Sequence, residues 1–303
     1  EAEGVRPPRH VLIVLPEHVQ LMDVAGPAQV LVTAADMGAG YTVGYVSEHP
    51  ITGSYQGVAL AAAVHWPDLE PDDLVLVPGW KSPADSPGLS RALLKRIRGH
   101  WDDGGRIASV CAGALALAEA GVLTGRTATT HHDLVPALKR YRGVQVLRDV
   151  LFTCEGRLHT SAGIASGIDL ALHLVAHDHG PALAARVART LVVPAWRPGS
   201  ASQRSVMLVH RNHMDDLAHR AQDILDNPDE GPLTLELLGR RLGVSGRTLA
   251  RHFVSATGLM PQAYSRAVRR ERAQQLHERG ATWEEAARAV GYADSRSLRP
   301  RRS

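Results

Sequence analysis

Gly104-Gly105-Arg106-Ile107-Ala108-Ser109-Val110-Cys111-Ala112-Gly113 reads as a short aliphatic strand that turns at once into a helix over 114–120. Ile107–Val110 is brief, apolar and bounded by glycine, which fits a strand buried on both faces better than a helix. Small residues around Cys111 permit the tight strand-to-helix elbow that raises one side chain at a helix N-terminus. Helix-terminal N–H groups there favour the thiolate, so a lowered thiol pKa is expected. The plain alternative is a small core cysteine.

Val11–Leu15 and Leu74–Val77 are further aliphatic runs bounded by proline or glycine. Between the strands lie amphipathic stretches, which predict helices over Pro27–Met37 and Leu89–Trp101. Strand-helix alternation implies an α/β, doubly wound parallel sheet, with ligands expected at the carboxyl ends of its strands. After Val192-Val193-Pro194 the small, polar Pro198-Gly199-Ser200-Ala201-Ser202-Gln203 changes the style of the chain. The reading therefore divides the chain into an α/β domain over 9–197, a linker over 198–212 and an all-helical domain over 213–303.

The net charge of +3 hides an uneven distribution. Residues 231–303 hold 14 Arg against 6 acidic residues, which leaves 20 basic and 25 acidic residues in 1–230. A basic segment on an acidic body fits a module that binds a polyanion such as double-stranded DNA; a solvated helical face would look the same. No apolar run is long enough to cross a bilayer, and Glu1-Ala2-Glu3-Gly4 is not the start of a signal peptide, so a cytoplasmic location is expected. The sequence does not begin with Met, so a processed or trimmed N-terminus is expected.

Two cysteines, Cys111 and Cys154, are too few for a disulfide framework and show no CxxC spacing. Cys154 lies in a strand-like run and reads as a core residue. Asp169 reads as structural, and His173, His177 and His179 lack the carboxylate motif of a metal site. Neither a metal nor a cofactor is expected.

In the C-terminal part, Thr234 is a plausible N-cap for a helix whose buried side is Leu237, Leu238 and Leu242. Gly243-Val244-Ser245 makes a turn, and Gly246–Ala256 forms a second helix with Leu249 and Phe253 facing inward. That leaves Ser245, Arg247, Thr248, Arg251 and His252 as outward donors for phosphates and base edges. Leu238–Phe253, with Thr257-Gly258, Pro261 and the run from Arg269 through Ala273 to Leu276, resembles the AraC/XylS DNA-binding domain. Glu284-Glu285-Ala286-Ala287, Val290-Gly291-Tyr292 and Asp294 are similar to that family's second helix-turn-helix. Its reader would carry Arg296 and Arg299, yet Pro300 disfavours continuation of the helix, so the second motif reads as incomplete.

The N-terminal part resembles the PfpI-like, class I glutamine amidotransferase-like superfamily, and its fusion to an AraC module resembles the GlxA group of regulators. The likeness rests on Leu21-Met22-Asp23-Val24-Ala25-Gly26-Pro27, Val77-Pro78-Gly79, the Cys111 elbow, Thr129-Thr130-His131 and Thr160-Ser161-Ala162-Gly163. It implies a flavodoxin-like sheet, with Asp23 hydrogen-bonded to Cys111, His131 approaching it, and Gly79 and Ala112 supplying oxyanion-type N–H groups. From the residues alone, an N-cap role for Asp23 and a structural turn role for His131 stay open as alternatives. Trp80 and His132 depart from the pattern, the first by putting an indole beside Gly79.

Together these features imply a homodimeric transcription regulator that binds a small-molecule effector near Cys111. Two alternatives stay open at this level. One is a Cys111-dependent hydrolase or hydratase with a vestigial helix-turn-helix; the other is a redox sensor in which Cys111 is oxidised.

Overall fold

Residues Val11–Val14 and the run Leu74-Val75-Leu76-Val77 are buried throughout, as parallel strands covered by helices on both faces require. The computed structural model describes residues 9–81, 88–163, 165–193, 197–203, 205–227, 230–278 and 280–292. The chain divides into two units, 1–203 and 204–303. No helix among the described residues is long and apolar enough to cross a membrane.

The first unit begins with β1 (Arg9–Val14), α1 (Leu21–Asp36), β2 (Tyr41–Val46) and the hairpin β3 (Ile51–Gly53) and β4 (Ala59–Ala61). It continues with β5 (Leu74–Val77), α2 (Arg91–Asp102), β6 (Arg106–Val110) and α3 (Gly113–Glu119). Then come β7 (Thr127–Ala128), a 3-10 turn at His132–Leu134, α4 (Val135–Leu138) and β8 (Gln145–Val146). The unit ends with β9 (Phe152–Glu155), β10 (Leu158–Ser161), α5 (Ser166–His179) and α6 (Pro181–Thr190).

The main sheet runs β2-β1-β5-β6-β10-β9, parallel except for β9, which pairs antiparallel with β10. Its five parallel strands have the flavodoxin-like order, with the reversal of winding between β1 and β5. Alternation along each strand sorts the core into two layers. Ile13, Leu76 and Val110 pack with α1, α5 and α6, whereas Leu12, Val77 and Ile107 pack with α2 and α3. The α/β, doubly wound sheet expected from the sequence is thus present, with an antiparallel edge strand added.

Two local expectations are corrected. The first helix starts at Leu21, not at Pro27, because Asp23, Val24 and Gly26 are themselves buried by it. Pro27 sits inside that helix and withholds only the N–H that the Asp23 carbonyl would otherwise receive. Cys154 is exposed, not a core residue, because β9 is one of the sheet's two edge strands.

The stretch read as a linker is shared between the units. Gly199 O accepts from Leu151 N at 2.9 Å, and Gln203 Nε2 donates to the carbonyls of Thr130 and Val150, each at 3.0 Å. On the other side of the division, α7 (Val206–Val209) joins the helical unit, where Val206 N donates to Glu271 at 2.7 Å.

That unit is all helical: α8 (Asp216–Asp226), α9 (Leu235–Arg241), α10 (Gly246–Thr257), α11 (Pro261–Glu278) and α12 (Trp283–Ala289) follow α7. Leu238, Leu242, Leu249, Phe253, Tyr264 and Val268 form one core cluster; Ala273, Ala286, Ala287 and Val290 form a smaller one at the far end of α11. Thr234 caps α9 through Leu237 N, as the sequence suggests.

Candidate functional site

Strand β6 ends at Val110, and the backbone reverses at Cys111 with a φ of +57°, a left-handed conformation that L residues rarely adopt. Hydrogen bonds hold this strained residue: Cys111 N donates to Ser161 O at 2.9 Å, and Thr130 Oγ1 donates to Cys111 O at 2.7 Å. Two glycines then close on either side. A Cβ at Gly79 would lie 2.8 Å from Cys111 Cβ and 2.5 Å from Asp23 Oδ2; one at Gly163, where φ is +113°, would lie 3.0 Å from Cys111 Sγ. The carboxyl ends of β5, β6 and β10 therefore meet at a half-buried thiol, where an open α/β sheet is expected to bind its ligand.

Asp23 stands in the first turn of α1, fully buried, and its Oδ2 accepts from Gly79 N at 3.1 Å. It also hydrogen-bonds the Cys111 thiol. Burial and then the Asp23 charge push that thiol from its ordinary value near 9 up to about 12; the Ala112 N–H opposes them only in part. The lowered pKa expected from the elbow alone is thus reversed. The N–H groups carried over as oxyanion donors are also engaged, Gly79's by Asp23 and Ala112's by the cysteine sulfur. Trp80 belongs with the α2–α3 layer, its indole lying where a Cβ on Gly88 would be.

His131 follows Thr130 directly and caps the 3-10 turn, Nδ1 accepting from Asp133 N at 3.4 Å. Its ring lies tilted by 33° against His132 with centroids 4.1 Å apart, while Asp133 Oδ2 lies 3.6 Å from His131 Nδ1 and Oδ1 lies 3.4 Å from His132 Nε2. Among the described residues, these three are the grouping with metal-ligand spacing. In the sequence only the histidines of α5 come into question as ligands, and they are set aside. There His173 packs on Phe152, His179 on Tyr41, and His177 pairs with Asp178. Asp169 is structural as expected: it accepts from the backbone and guanidinium of Arg197 at 2.6 Å each.

In the helical unit, α9 and α10 form the expected helix-turn-helix. Ser245 Oγ accepts from Thr248 N at 3.1 Å and lies 2.9 Å from Thr248 Oγ1, so both polar groups serve the start of α10. Arg247 and Arg251 are exposed on that helix, with no acidic partner among the described residues. His252 differs from them: its Nδ1 lies 2.8 Å from Asp215 Oδ2, tying α10 to the N-cap of α8. In the second motif α12 starts with a Thr282–Glu285 capping box. Arg296 and Arg299 lie outside the described residues.

A half-buried thiol beside a buried carboxylate at the carboxyl ends of a flavodoxin-like sheet, in one chain with an AraC-type helix-turn-helix unit, defines a two-part α/β and all-α protein. The chain belongs to the DJ-1/PfpI family, which it matches over residues 9–177, and residues 238–300 match a helix-turn-helix domain. Among similar proteins, the HTH-type transcriptional regulator CdhR of Pseudomonas aeruginosa is 32% identical over 189 residues, covering 62% of this chain and 56% of that protein. The isonitrile hydratase of Pseudomonas putida is 34% identical over 160 residues, covering 52% of this chain and 66% of that enzyme. A solved AraC family transcriptional regulator from Pseudomonas putida superposes with a TM-score of 0.53 at 25% identity, covering 61% of this chain and 100% of the other. The chain spans a little over half the length of the first curated regulators it matches.

Proposed function

We propose that this chain is a DNA-binding transcription regulator that works as a cytoplasmic homodimer and senses a small molecule at the Cys111–Asp23 site. The observation that carries the reading is the joining of two units in one chain. One presents a half-buried thiol and a buried carboxylate at the carboxyl ends of its sheet; the other presents Arg247 and Arg251, exposed and without acidic partners among the described residues, on the second helix of a helix-turn-helix. A thiol held protonated suits a hydrogen-bonding pocket group better than a resting nucleophile. Dimerisation would present paired helices to two half-sites.

Gel retardation of the chain's own promoter region at a stated salt concentration tests this reading. Retardation by the full chain is expected, and its absence across the accessible concentration range overturns it.

A second reading, a Cys111-dependent hydratase or hydrolase, is favoured by the similarity to isonitrile hydratase. The step would require the thiol to lose its proton before attacking a carbonyl or isonitrile carbon, and Asp23 is the nearby base. Turnover of isonitrile, amide or aldehyde substrates that is abolished in Cys111→Ala supports it; no turnover, or turnover indifferent to that change, eliminates it.

A further inference from the structure

We propose that His131, His132 and Asp133 form a binding site for a divalent first-row transition cation of the zinc type. One ligand atom from each residue lies within 4.8 Å of the others, and the carboxylate oxygens lie 3.4 and 3.6 Å from the two imidazole nitrogens. The two short spacings reach different carboxylate oxygens, His131 Nδ1 to Oδ2 and His132 Nε2 to Oδ1, so the carboxylate bridges the two rings and small side-chain rotations would bring one atom of each residue to the roughly 2.0–2.2 Å that zinc requires. Two imidazoles and one carboxylate suit zinc, cobalt or nickel better than magnesium or calcium, which prefer all-oxygen shells.

The ligands also stand on a clamped turn. Thr129 N donates to Thr160 Oγ1 at 2.8 Å and Thr129 Oγ1 to Leu147 O at 2.9 Å, while Thr130 is held by Cys111 O and Gln203. Beyond the turn, buried Val135 and Leu138 anchor α4. The backbone of the turn is therefore fixed, and what remains for the ion to impose is rotation of the side chains, including release of His131 Nδ1 from the Asp133 N–H. Among the described residues the Asp133 carboxylate makes its ion-pair contacts with these two rings and with no arginine or lysine, which leaves it able to accept a cation. Three protein ligands leave a coordination position open, available to water or to an oxygen or nitrogen donor of a small molecule. The site stands whether or not the Cys111 pocket senses an effector.

Calorimetric titration of the metal-free full chain with Zn2+ tests the proposal, with Co2+ absorption as a second readout of coordination. One equivalent should bind, with affinity falling about tenfold or more in His132→Ala and in the shape-conserving Asp133→Asn. His49→Ala, which removes an exposed histidine before β3, should leave it unchanged. Circular dichroism confirms that each variant is folded. No Zn2+ uptake by the wild type, or equal affinity in wild type, His132→Ala and Asp133→Asn, overturns the assignment; equal losses in His132→Ala and His49→Ala reveal only adventitious histidine binding and overturn it as well.

Discussion

At the scale of single residues, the chemistry turns on one proton. Burial and the Asp23 carboxylate both favour the neutral Cys111 thiol, so its folded pKa lies above its ordinary value and thiolate appears only at high pH. Iodoacetamide at pH 8 should consequently alkylate exposed Cys154, itself pushed to about 11 by the protein around it, before Cys111. Peptide mass spectrometry reads the order directly. Asp23→Asn removes the nearby negative charge, and a fall of one pKa unit raises the thiolate fraction at pH 8 about tenfold. Alkylation of Cys111 that is no faster in this variant would show that the carboxylate does not control the thiol. Gly163→Ala addresses shape instead: its Cβ would meet Cys111 at 2.5 Å from a backbone with φ +113°, and a loss of about 2 kcal/mol is expected. Thermal melting should then show a midpoint about 4–8 °C lower; an unchanged midpoint would mean that the elbow can move aside.

At the scale of elements, legibility followed burial. Strands β1, β5 and β6 were readable because their residues face helices on both sides and must be apolar in succession. The start of α1 was not, because Pro27 resembles a first-turn proline, whereas here the burial of Asp23 and Val24 extends the helix backwards. Position in the sheet is a property of the whole fold, so nothing in Phe152-Thr153-Cys154 revealed that β9 would be an edge. The His131–Asp133 grouping escaped for a related reason: three successive side chains converge only because a 3-10 turn brings the third back to the first two. On α10, the roles read as one set of DNA contacts separate. Ser245→Ala removes an N-cap and should cost about 1 kcal/mol in stability. Arg247→Ala should leave melting unchanged, weaken DNA binding and, if the side chain meets a phosphate, reduce the salt slope by about 1. Fluorescence anisotropy across a salt series separates the two effects, and a stability loss for Arg247→Ala equal to that for Ser245→Ala would assign the arginine to structure.

At the scale of the whole molecule, the boundary between the units bears on the thiol site. Gln203 is the last residue of the first unit, yet its amide holds Thr130, whose hydroxyl in turn holds the Cys111 carbonyl. Gly199 and Ser202 bind the turn before β9 in the same way, through Leu151 N and Asp149. A fragment ending at 203 keeps these bonds, and one ending at 197 loses them. Each buried or half-buried hydrogen bond contributes on the order of 1 kcal/mol, so removing three or four should destabilise the shorter fragment by about 3–4 kcal/mol. Denaturant unfolding of the two fragments measures this difference. The more telling readout is Cys111 itself: with Thr130 released, the strained φ at the elbow loses one of its restraints, and the alkylation rate at pH 8 should depart from that of the full chain only in the shorter fragment. Equal stability and equal thiol reactivity in both fragments would mean that 198–203 is a passive tether. A difference in both would mean that 198–203 is built into the wall around Cys111 and is no mere tether.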